Sequence, residues 1–442
     1  MKIIVSLCSA VVWGSGQIIN MQKIKGLLFF AMQCIFLFIE LSTGTLNVLM
    51  GISEPSFRNC GYFTKGLWGI ITLGETPRLD STVLAFDHSI MLMIGGIIST
   101  VVLLIFALLW IWNIRDAYRS RVKIEQGERV SSIDYIKDLW KSSFEYIMIT
   151  PGAILVLFIS VIPVLFTSLI AFTNYNFNAI PPKQLVDWTG FKTFIDIVNL
   201  PIWSSTFLRI LSWTIAWAFL ATFFPFTLGL LASVMVNAKG IRFKALWRGI
   251  YILPWAVPGL VSLLVFSVMF TKDGAFNNLL LSAGIIKEAI PFLSNTNWAR
   301  AVLVLVSMWL SFPYFMALIS GVLTSLSPEM YEAAEIDGGN SWHKFRYISL
   351  PMILTATTPQ IVMTIIGNFN NFGAVYFLTG GGPANPKYQL AGTTDLLITW
   401  IFKLTLDQRM YNYASALSLL IFIVISTFSV INLLRSRVYK ED

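Results

Sequence analysis

Long apolar stretches constrain the fold of this chain more than any other feature of its sequence. An α-helix needs about 20 mostly apolar residues to cross the hydrocarbon core of a bilayer. Seven stretches meet that length, at about 89–112, 147–172, 207–236, 250–270, 301–322, 352–378 and 413–434. A shorter stretch, about 26–41, has Glu40 as its only charged residue and counts as an eighth span. We therefore expect an all-α polytopic membrane protein with about eight transmembrane helices.

The amino-terminal residues 1–22 do not fit this pattern. Their apolar part, Ile3 to Trp13, is too short to cross a bilayer. The segment resembles a weak signal peptide but has no convincing cleavage site. We expect it to lie at the membrane interface or to form a re-entrant segment.

The distribution of basic residues predicts the orientation of the spans. With the amino terminus inside, the inner segments carry 19 Lys and Arg, and the outer segments carry 10. Because Lys and Arg accumulate on the cytoplasmic side, both termini are expected in the cytoplasm of a bacterial cell. The net charge of +8 then reflects topology rather than nucleic-acid binding, since the basic residues sit between apolar spans.

Several kinds of chemistry are missing from the sequence. Charged residues make up 12% of the chain, against about a quarter in soluble domains, which excludes an ordinary soluble enzyme. The Cys and His residues are scattered without metal-ligand spacing, so we expect no metal, no cofactor and no disulfide framework. The seven strong spans have no ionisable residue at their middle, and no phosphate-binding G-x-x-x-x-G-K-[ST] loop occurs. If transport is driven, its energy must come from another polypeptide.

One inner segment, 323–351, breaks the basic pattern of the inner face. Four acidic residues outnumber two basic ones there, namely Glu329, Glu332, Glu335 and Asp337 against Lys344 and Arg346. Ser327 and Pro328 predict the start of a helix, and Gly338-Gly339 predict its end. Ser341 is expected to cap a second short helix that stops before Pro351. The alternative is a merely solvated acidic loop.

The residues of this loop resemble the EAA loop of ABC-importer permeases. The resemblance is carried by Glu332-Ala333-Ala334-x-x-Asp337-Gly338, followed by Phe345, Ile348, Leu350 and Pro351. It implies that the loop is a coupling helix that docks into a cleft on an ATP-hydrolysing subunit. The ATPase-docking residues it implies are Glu332, Ala333, Ala334, Asp337 and Gly338.

The resemblance extends over roughly 146–435 and is most specific to the maltose/maltodextrin (MalF-type) sugar permeases. It rests on Phe172-Thr173-Asn174-Tyr175-Asn176, Tyr251-Ile252-Leu253-Pro254-Trp255, Asn368-Phe369-Asn370-Asn371-Phe372, Leu378-Thr379-Gly380-Gly381-Gly382-Pro383 and Ala391-Gly392-Thr393-Thr394-Asp395. It implies a six-helix permease core in 146–442. Residues 1–145 then form an amino-terminal region with two extra spans and a basic cytoplasmic linker. The large extracytoplasmic insertion of Gram-negative members is absent, because 173–206 is short.

Two predicted helix faces offer a candidate sugar site. A neutral sugar needs amide and hydroxyl partners plus an apolar or aromatic surface. Helical spacing places Thr364, Gly367, Asn368 and Asn371 on one face of the span 352–378. It likewise places Leu310, Ser311 and Tyr314 on one face of the span 301–322. The seven positions match the membrane sugar site of the MalF type, which implies substrate binding. The alternative is hydrogen bonding between helices.

Two of these positions depart from the family pattern. Ser311 stands where a glycine is familiar, and Gly367 stands where an aromatic residue is familiar. The substrate is therefore expected to differ from plain maltose in identity or geometry.

Together these observations predict a permease subunit of an ATP-driven ABC importer for maltodextrin-like oligosaccharides. Its expected partners are a second homologous permease subunit, two ATP-binding subunits, an extracytoplasmic sugar-binding protein and membrane lipid. It is not expected to be an enzyme, since ATP hydrolysis belongs to the partner subunits. The alternatives are the same machinery for another sugar or glycerol phosphate, or a self-sufficient facilitator or channel.

Overall fold

The computed structural model describes residues 1–80, 86–127, 144–238 and 240–435. These residues form helices and connecting segments and no β-strand, with two isolated bridges, Thr173 to Trp188 and Ala384 to Gly392. The chain divides into two compact units, the first made of Met1–Thr193 and Met410–Asp442 and the second of Phe194–Arg409. The all-helical fold expected from the apolar stretches is confirmed.

The first unit contains three helix segments that are long and apolar enough to cross a membrane, Lys23–Leu49, Ser89–Glu125 and Phe144–Ile170. Its helices are α1 (Lys2–Val11), α2 (Ser15–Ile19), α3 (Lys23–Glu40), α4 (Leu46–Leu49), α5 (Tyr62–Thr72), α6 (Ser89–Glu125), α7 (Phe144–Val156), α8 (Ile162–Ile170) and, after the second unit, α20 (Tyr411–Arg435). Wider π-helical turns at Leu41–Thr45 and Leu157–Val161 join α3 to α4 and α7 to α8.

The interior of the first unit is partly polar. The Lys25 ammonium lies 2.5 Å from an Asp116 carboxylate oxygen, and both side chains are nearly inaccessible to solvent. The Gln17 amide also donates to Asp116, at 3.1 Å. This ion pair ties α3 to α6, and Gln17 ties α2 to the same carboxylate. Residues 1–22 therefore pack against α6 as two short helices, and the position of that segment in the membrane stays a prediction.

The second unit contains the remaining long helices. After α9 (Lys192–Asn199), which crosses the boundary in sequence, its helices are α10 (Pro201–Asn237), α11 (Lys244–Ala256), α12 (Gly259–Met269), α13 (Ala275–Ser282), α14 (Thr296–Ser325), α15 (Pro328–Ile336), α16 (Ser341–Lys344), α17 (Leu350–Phe369), α18 (Phe372–Thr379) and α19 (Leu397–Leu406). Its core is a cluster of buried apolar residues that includes Trp217, Leu303 and Val375. Helix α10 packs along α14, and both contact α17.

The predicted span 250–270 contains two helices rather than one. Helices α11 and α12 meet at an angle of 84°. Pro258 disfavours the helical conformation of the residue before it, and Val257 is accordingly extended at φ −97° and ψ 130°. Pro258 then starts α12 with its own fixed φ of −53°.

The predicted span 352–378 is also wrong as one helix. Helix α17 ends at Phe369, and α18 begins at Phe372 after a short break. Asn371 caps α18, because its side-chain oxygen accepts a hydrogen bond from the backbone N–H of Ala374 at 3.2 Å. Asparagine side chains compete with the helical backbone in this way, so two adjacent asparagines end the helix within an apolar stretch.

Within the described residues, six helix segments are long and apolar enough to span a membrane, or seven if the bent pair α11 and α12 forms one span. The predicted span 413–434 falls in α20 but does not count among these six. The number eight therefore stays a prediction.

Candidate functional site

The centre of the candidate sugar site is a chain of three polar side chains in the second unit. The Asn368 amide donates to the hydroxyl oxygen of Thr222 on α10 at 3.0 Å. The Asn371 amide donates in turn to the Asn368 side-chain oxygen at 3.2 Å. Thr222 is 2% exposed and Asn368 is 8% exposed. The structure therefore brings Asn368 and Asn371 together and adds a threonine from a neighbouring helix.

The hydrogen bonds among these three side chains satisfy amide and hydroxyl groups that would be costly to bury without a partner. Thr222 donates its own proton to the Ala218 carbonyl at 2.8 Å, which leaves its oxygen free to accept from Asn368. Asn371 uses its oxygen on Ala374 and its amide on Asn368. Interhelical bonds of this kind stabilise membrane bundles by about 0.6–2 kcal/mol each. The arrangement thus contains the helix-to-helix bonding that was the alternative to a sugar site.

Thr364 and Gly367 lie on the same helix, five and two residues before its end at Phe369. The Thr364 hydroxyl donates to the Gln360 carbonyl at 2.9 Å and is half-buried. Gly367 is exposed, and no described atom lies within 4 Å of where a Cβ would stand. The Cβ position of Gly367 therefore faces open space. Because Asn371 has left the helix, the four residues do not form the single helical face expected from spacing.

The three residues from α14 are half-buried, and α14 packs against α17. Leu310 contacts the apolar core, whereas the Tyr314 ring centroid lies 5.8 Å from that of Trp255. Ser311 lies between them on α14. The described contacts do not join these three residues directly to Asn368 or Asn371.

Two residues beside the site were missed by the sequence analysis. Thr222 carries no signal of its own, since it is one hydroxyl in a long apolar helix. Trp255 is 55% exposed and precedes the bend between α11 and α12. Its position within the Leu253-Pro254-Trp255 segment, next to a proline that breaks the helix, was the available signal.

The acidic inner segment contains the helix that its sequence predicts. Helix α15 follows Ser327 and starts with Pro328, and Gly338 adopts a left-handed φ of +79° after its end. The Gly339 N–H then donates to the Ala334 carbonyl at 2.7 Å, which satisfies a terminal carbonyl of the helix. The Ser327 hydroxyl contacts the Glu329 carboxylate rather than the backbone.

The second part of this segment differs from the prediction. Asn340, not Ser341, is the capping residue, and its side chain accepts from the His343 N–H at 2.9 Å. The helix does not stop before Pro351, because α16 continues through a π-helical turn at Phe345–Ser349 into α17. The wider turn accommodates the proline ring, which would otherwise clash with the carbonyl four residues earlier.

The residues with an expected docking role lie together on this helix and its turn. Glu332, Ala333, Asp337 and Gly338 are exposed, and Ala334 is half-buried. Ile336 is 88% exposed, which is unusual for an isoleucine at the end of a helix. The Lys344 ammonium lies 2.5 Å from Glu335, and the Tyr331 and Ser349 hydroxyls are 2.9 Å apart. These contacts hold α15 against the helix that follows it.

Side-chain hydrogen bonds also fix the segment between α18 and α19 in this unit. The buried Asp395 carboxylate accepts from the Gly392 N–H at 2.7 Å and from the Lys403 ammonium at 2.7 Å. Burial raises the pKa of the Asp395 carboxyl, and Lys403 opposes that rise. Arg300 donates twice to the Thr393 carbonyl, at 2.8 and 3.1 Å.

No group of three or more His, Cys, Asp or Glu that could hold a metal ion occurs within residues 1–80, 86–127, 144–238 and 240–435. The site instead combines uncharged polar groups inside a helical bundle with an exposed acidic helix that joins two spans. The fold and the site are those of a multi-span helical membrane protein.

Comparison with known proteins gives the family. Residues 225–440 match the family described as binding-protein-dependent transport system inner membrane component. The galactooligosaccharides transport system permease protein GanP of Bacillus subtilis is 36% identical over 441 residues, covering 99% of both chains. The maltodextrin transport system permease protein MdxF of the same organism is 34% identical, covering 98% of this chain and 95% of the relative. This chain belongs to the sugar permeases of binding-protein-dependent ABC importers.

Two further comparisons agree. The maltodextrin permease MalC of Streptococcus pneumoniae is 35% identical, covering 96% of this chain and 93% of the relative. Among solved structures, a bacterial ABC transporter involved in the import of the acidic polysaccharide alginate aligns with a TM-score of 0.51 at 21% identity, covering 67% of this chain and 96% of that one. The structural likeness supports the permease fold.

Proposed function

We propose that partner ATPase subunits drive oligosaccharide import through this permease by docking on α15. The observation that carries the proposal is the exposed acidic surface of α15 and its turn, with Ile336 at its end. An exposed apolar side chain beside exposed carboxylates offers a protein partner an apolar contact together with negatively charged groups. A second homologous permease and an extracytoplasmic sugar-binding protein complete the proposed assembly.

The orientation follows from the basic residues. Both termini and α15 lie in the cytoplasm in this proposal, because 19 Lys and Arg fall on that side against 10 on the other. The permease core comprises residues 146–442, with two extra spans and a basic linker in 1–145. The acidic α15 then projects from an otherwise basic inner face.

The substrate proposed is a neutral oligosaccharide of the maltodextrin type or a related sugar. Asn368 and Asn371 provide amide groups without net charge, which suits sugar hydroxyls. In the MalF type an aromatic residue is familiar at the position of Gly367. The open space there supports a ligand whose shape differs from that of maltose. A galacto-oligosaccharide is included, since the permease GanP is similar along its whole length.

The proposed sugar contacts are the seven residues named from sequence, with Trp255 added. They are Leu310, Ser311, Tyr314, Thr364, Gly367, Asn368 and Asn371. Trp255 and Tyr314 form a tilted aromatic pair with 55% of Trp255 exposed. Aromatic faces of this kind provide an apolar surface on which a sugar ring packs.

Reconstitution with and without partners tests this function. The chain is purified in mild detergent, and the proteins that accompany it are identified. It is then placed in liposomes, alone or with its ATPase, its second permease and its sugar-binding protein. Sugar-stimulated ATP hydrolysis and uptake of maltotriose or galactotriose are expected only with the partners and ATP. Uptake by the chain alone would identify a self-sufficient facilitator and overturn the proposal.

A phosphate-bearing cargo such as glycerol phosphate is the second candidate. It would require a cation along the path, and the seven strong predicted spans carry no basic residue at their middle. Competition of labelled maltotriose uptake by glycerol phosphate distinguishes the two cargoes.

A further inference from the structure

A groove runs between α1 and the second half of α6 in the first unit. Its volume is about 590 Å³, and Ile3, Ser6, Leu7 and Ala10 line it on the α1 side. The α1 residues follow helical spacing, so one face of that helix forms one wall. Residues of α6 form the other wall.

The two helices run in opposite directions along the groove. The Trp110 indole N–H donates to the Ala10 carbonyl at 2.9 Å, which fixes one end. At the other end the Lys2 ammonium lies 5.9 Å from the centre of the Tyr118 ring. From Trp110 to Arg119 the helix rises about 14 Å, which gives the groove its length.

Apolar and basic groups are separated along this length. The Ala10 and Trp110 end is apolar, whereas Arg115, Arg119 and Lys2 gather toward the other end. Arg115 and Arg119 are exposed and one helical turn apart. Within the described part of the chain, neither guanidinium has a carboxylate within salt-bridge distance. Asp116 lies on the opposite, buried face with Lys25.

We propose that this groove binds one anionic phospholipid. Its acyl chain lies between Leu7 and Ile114, and its phosphate group is held by Arg115 and Arg119. The charge separation along the groove matches the polarity of a lipid, with a phosphate at one end and hydrocarbon at the other. Basic pockets beside transmembrane helices bind anionic headgroups in this manner. Trp110 and Tyr118 are aromatic residues of the kind enriched at membrane interfaces.

Binding of this lipid would hold α1 against α6. Helix α1 has ten residues and exposes Ile4 and Val11 as well as the groove wall. An acyl chain in the groove removes Ile3 and Leu7 from contact with water. The proposal concerns the first unit alone and is independent of which sugar the permease carries.

Native mass spectrometry of the full-length chain in detergent tests the proposal. The probes are palmitoyl-oleoyl phosphatidylglycerol and phosphatidylcholine, which differ in charge but not in acyl chains. One phosphatidylglycerol is expected to stay bound at least about tenfold more strongly than phosphatidylcholine. The double variant Arg115→Gln/Arg119→Gln should lose that preference. Arg242→Gln/Arg248→Gln removes the same charge elsewhere and should retain it.

A second variant tests the apolar half without changing charge. Ser6→Trp fills the groove from an accessible face of α1 and should lower retention of phosphatidylglycerol about tenfold. Free glycerol phosphate should not displace the lipid, because it lacks an acyl chain. Equal binding of both lipids by the wild type, or unchanged binding by both groove variants, would overturn the proposal. Displacement by glycerol phosphate would overturn the assignment to a lipid.

Discussion

Asn368 donates its side-chain amide to the Thr222 hydroxyl oxygen at 3.0 Å, so the central amide of the candidate sugar site is bonded to a neighbouring helix. A sugar hydroxyl that binds Asn368 must compete with Thr222 or use the amide N–H and the oxygen lone pair that are not already hydrogen-bonded. Asn368 could therefore serve in helix packing or in sugar binding, and the two roles predict different effects of replacing Thr222.

The pair Asn368→Leu and Thr222→Val separates these roles. If Asn368 binds sugar, Asn368→Leu lowers uptake about 5- to 100-fold, because a lost hydrogen bond to a buried group costs about 1–3 kcal/mol. Thr222→Val, which keeps the shape of the side chain, leaves uptake within about threefold of the wild type. Uptake, complex assembly and basal ATP hydrolysis are measured for both. Equal loss of assembly in the two variants would instead assign the asparagine to helix packing.

The aromatic pair beside the site gives a second prediction. Trp255→Ala and Tyr314→Ala remove an apolar surface and should each lower uptake about 3- to 10-fold, from an aromatic contribution of about 0.5–1.5 kcal/mol. Trp255→Phe keeps a ring and should restore most of the uptake. Trp298→Ala changes a tryptophan that is 45% exposed and outside the site, and it is the matched control. Loss of uptake in the control to the same degree would contradict a specific role.

Changes in α15 and its turn should uncouple transport from ATP hydrolysis without removing the protein from the membrane. Glu332→Ala removes an exposed carboxylate, and interfacial charge pairs contribute a few kcal/mol when buried by a partner. Gly338→Pro forces φ to about −65°, which is incompatible with the observed +79°. Co-purification of ATPase and sugar-stimulated hydrolysis should fall at least about tenfold. Glu288→Ala changes an exposed acid elsewhere and should leave both values unchanged, whereas unaltered values in all three variants would refute a docking role.

The orientation predicts which single cysteines react from outside the cell. In a background lacking Cys8, Cys34 and Cys60, Glu54→Cys and Lys387→Cys should react with an impermeant thiol reagent in intact cells. Arg242→Cys should react only after the membrane is opened. The opposite pattern of labelling would reverse the orientation.

The buried Lys25 and Asp116 pair predicts a stability effect. Asp116→Ala should lower the thermal midpoint of the purified chain by several degrees, because removing one partner of a buried pair costs about 3–5 kcal/mol. Lys25→Met/Asp116→Leu should recover part of the loss, since it leaves no uncompensated charge. The exposed pair Arg121 and Glu125 serves as control, and its double glutamine replacement should shift the midpoint little. A thermal-shift assay decides, and equal shifts for the buried and exposed pairs would contradict this reasoning.

The sequence predicts most of the helices because the length of an apolar stretch and the residues that start or end a helix are local features. The limits of α15 follow from Ser327-Pro328 at one end and Gly338 at the other, and the structure has both. Hydropathy also locates the spans that contain Glu40 and Pro225 without any knowledge of their neighbours. These signals need no information about what packs against what.

Hydropathy alone does not predict the breaks within apolar stretches, because it averages over them. Val257 and Asn371 sit in segments that remain apolar overall, and the competing backbone interactions of proline and asparagine decide the conformation. Long-range partners are equally hidden. Thr222 and Asn368 are 146 residues apart, and Lys25 and Asp116 are 91 residues apart. Only the packed structure determines which buried polar groups meet.

The continuous helix from Ser341 to Phe369 has a mechanical consequence. Its 29 residues form a rod about 44 Å long, with the turn after α15 at one end and Asn368 at the other. For a rod of this length, a tilt of about 5° at the loop end displaces the far end by about 4 Å, which exceeds the length of a hydrogen bond. A small rotation of the acidic loop would therefore be enough to separate Asn368 from Thr222. One continuous helix thus connects the proposed docking surface to the proposed sugar site.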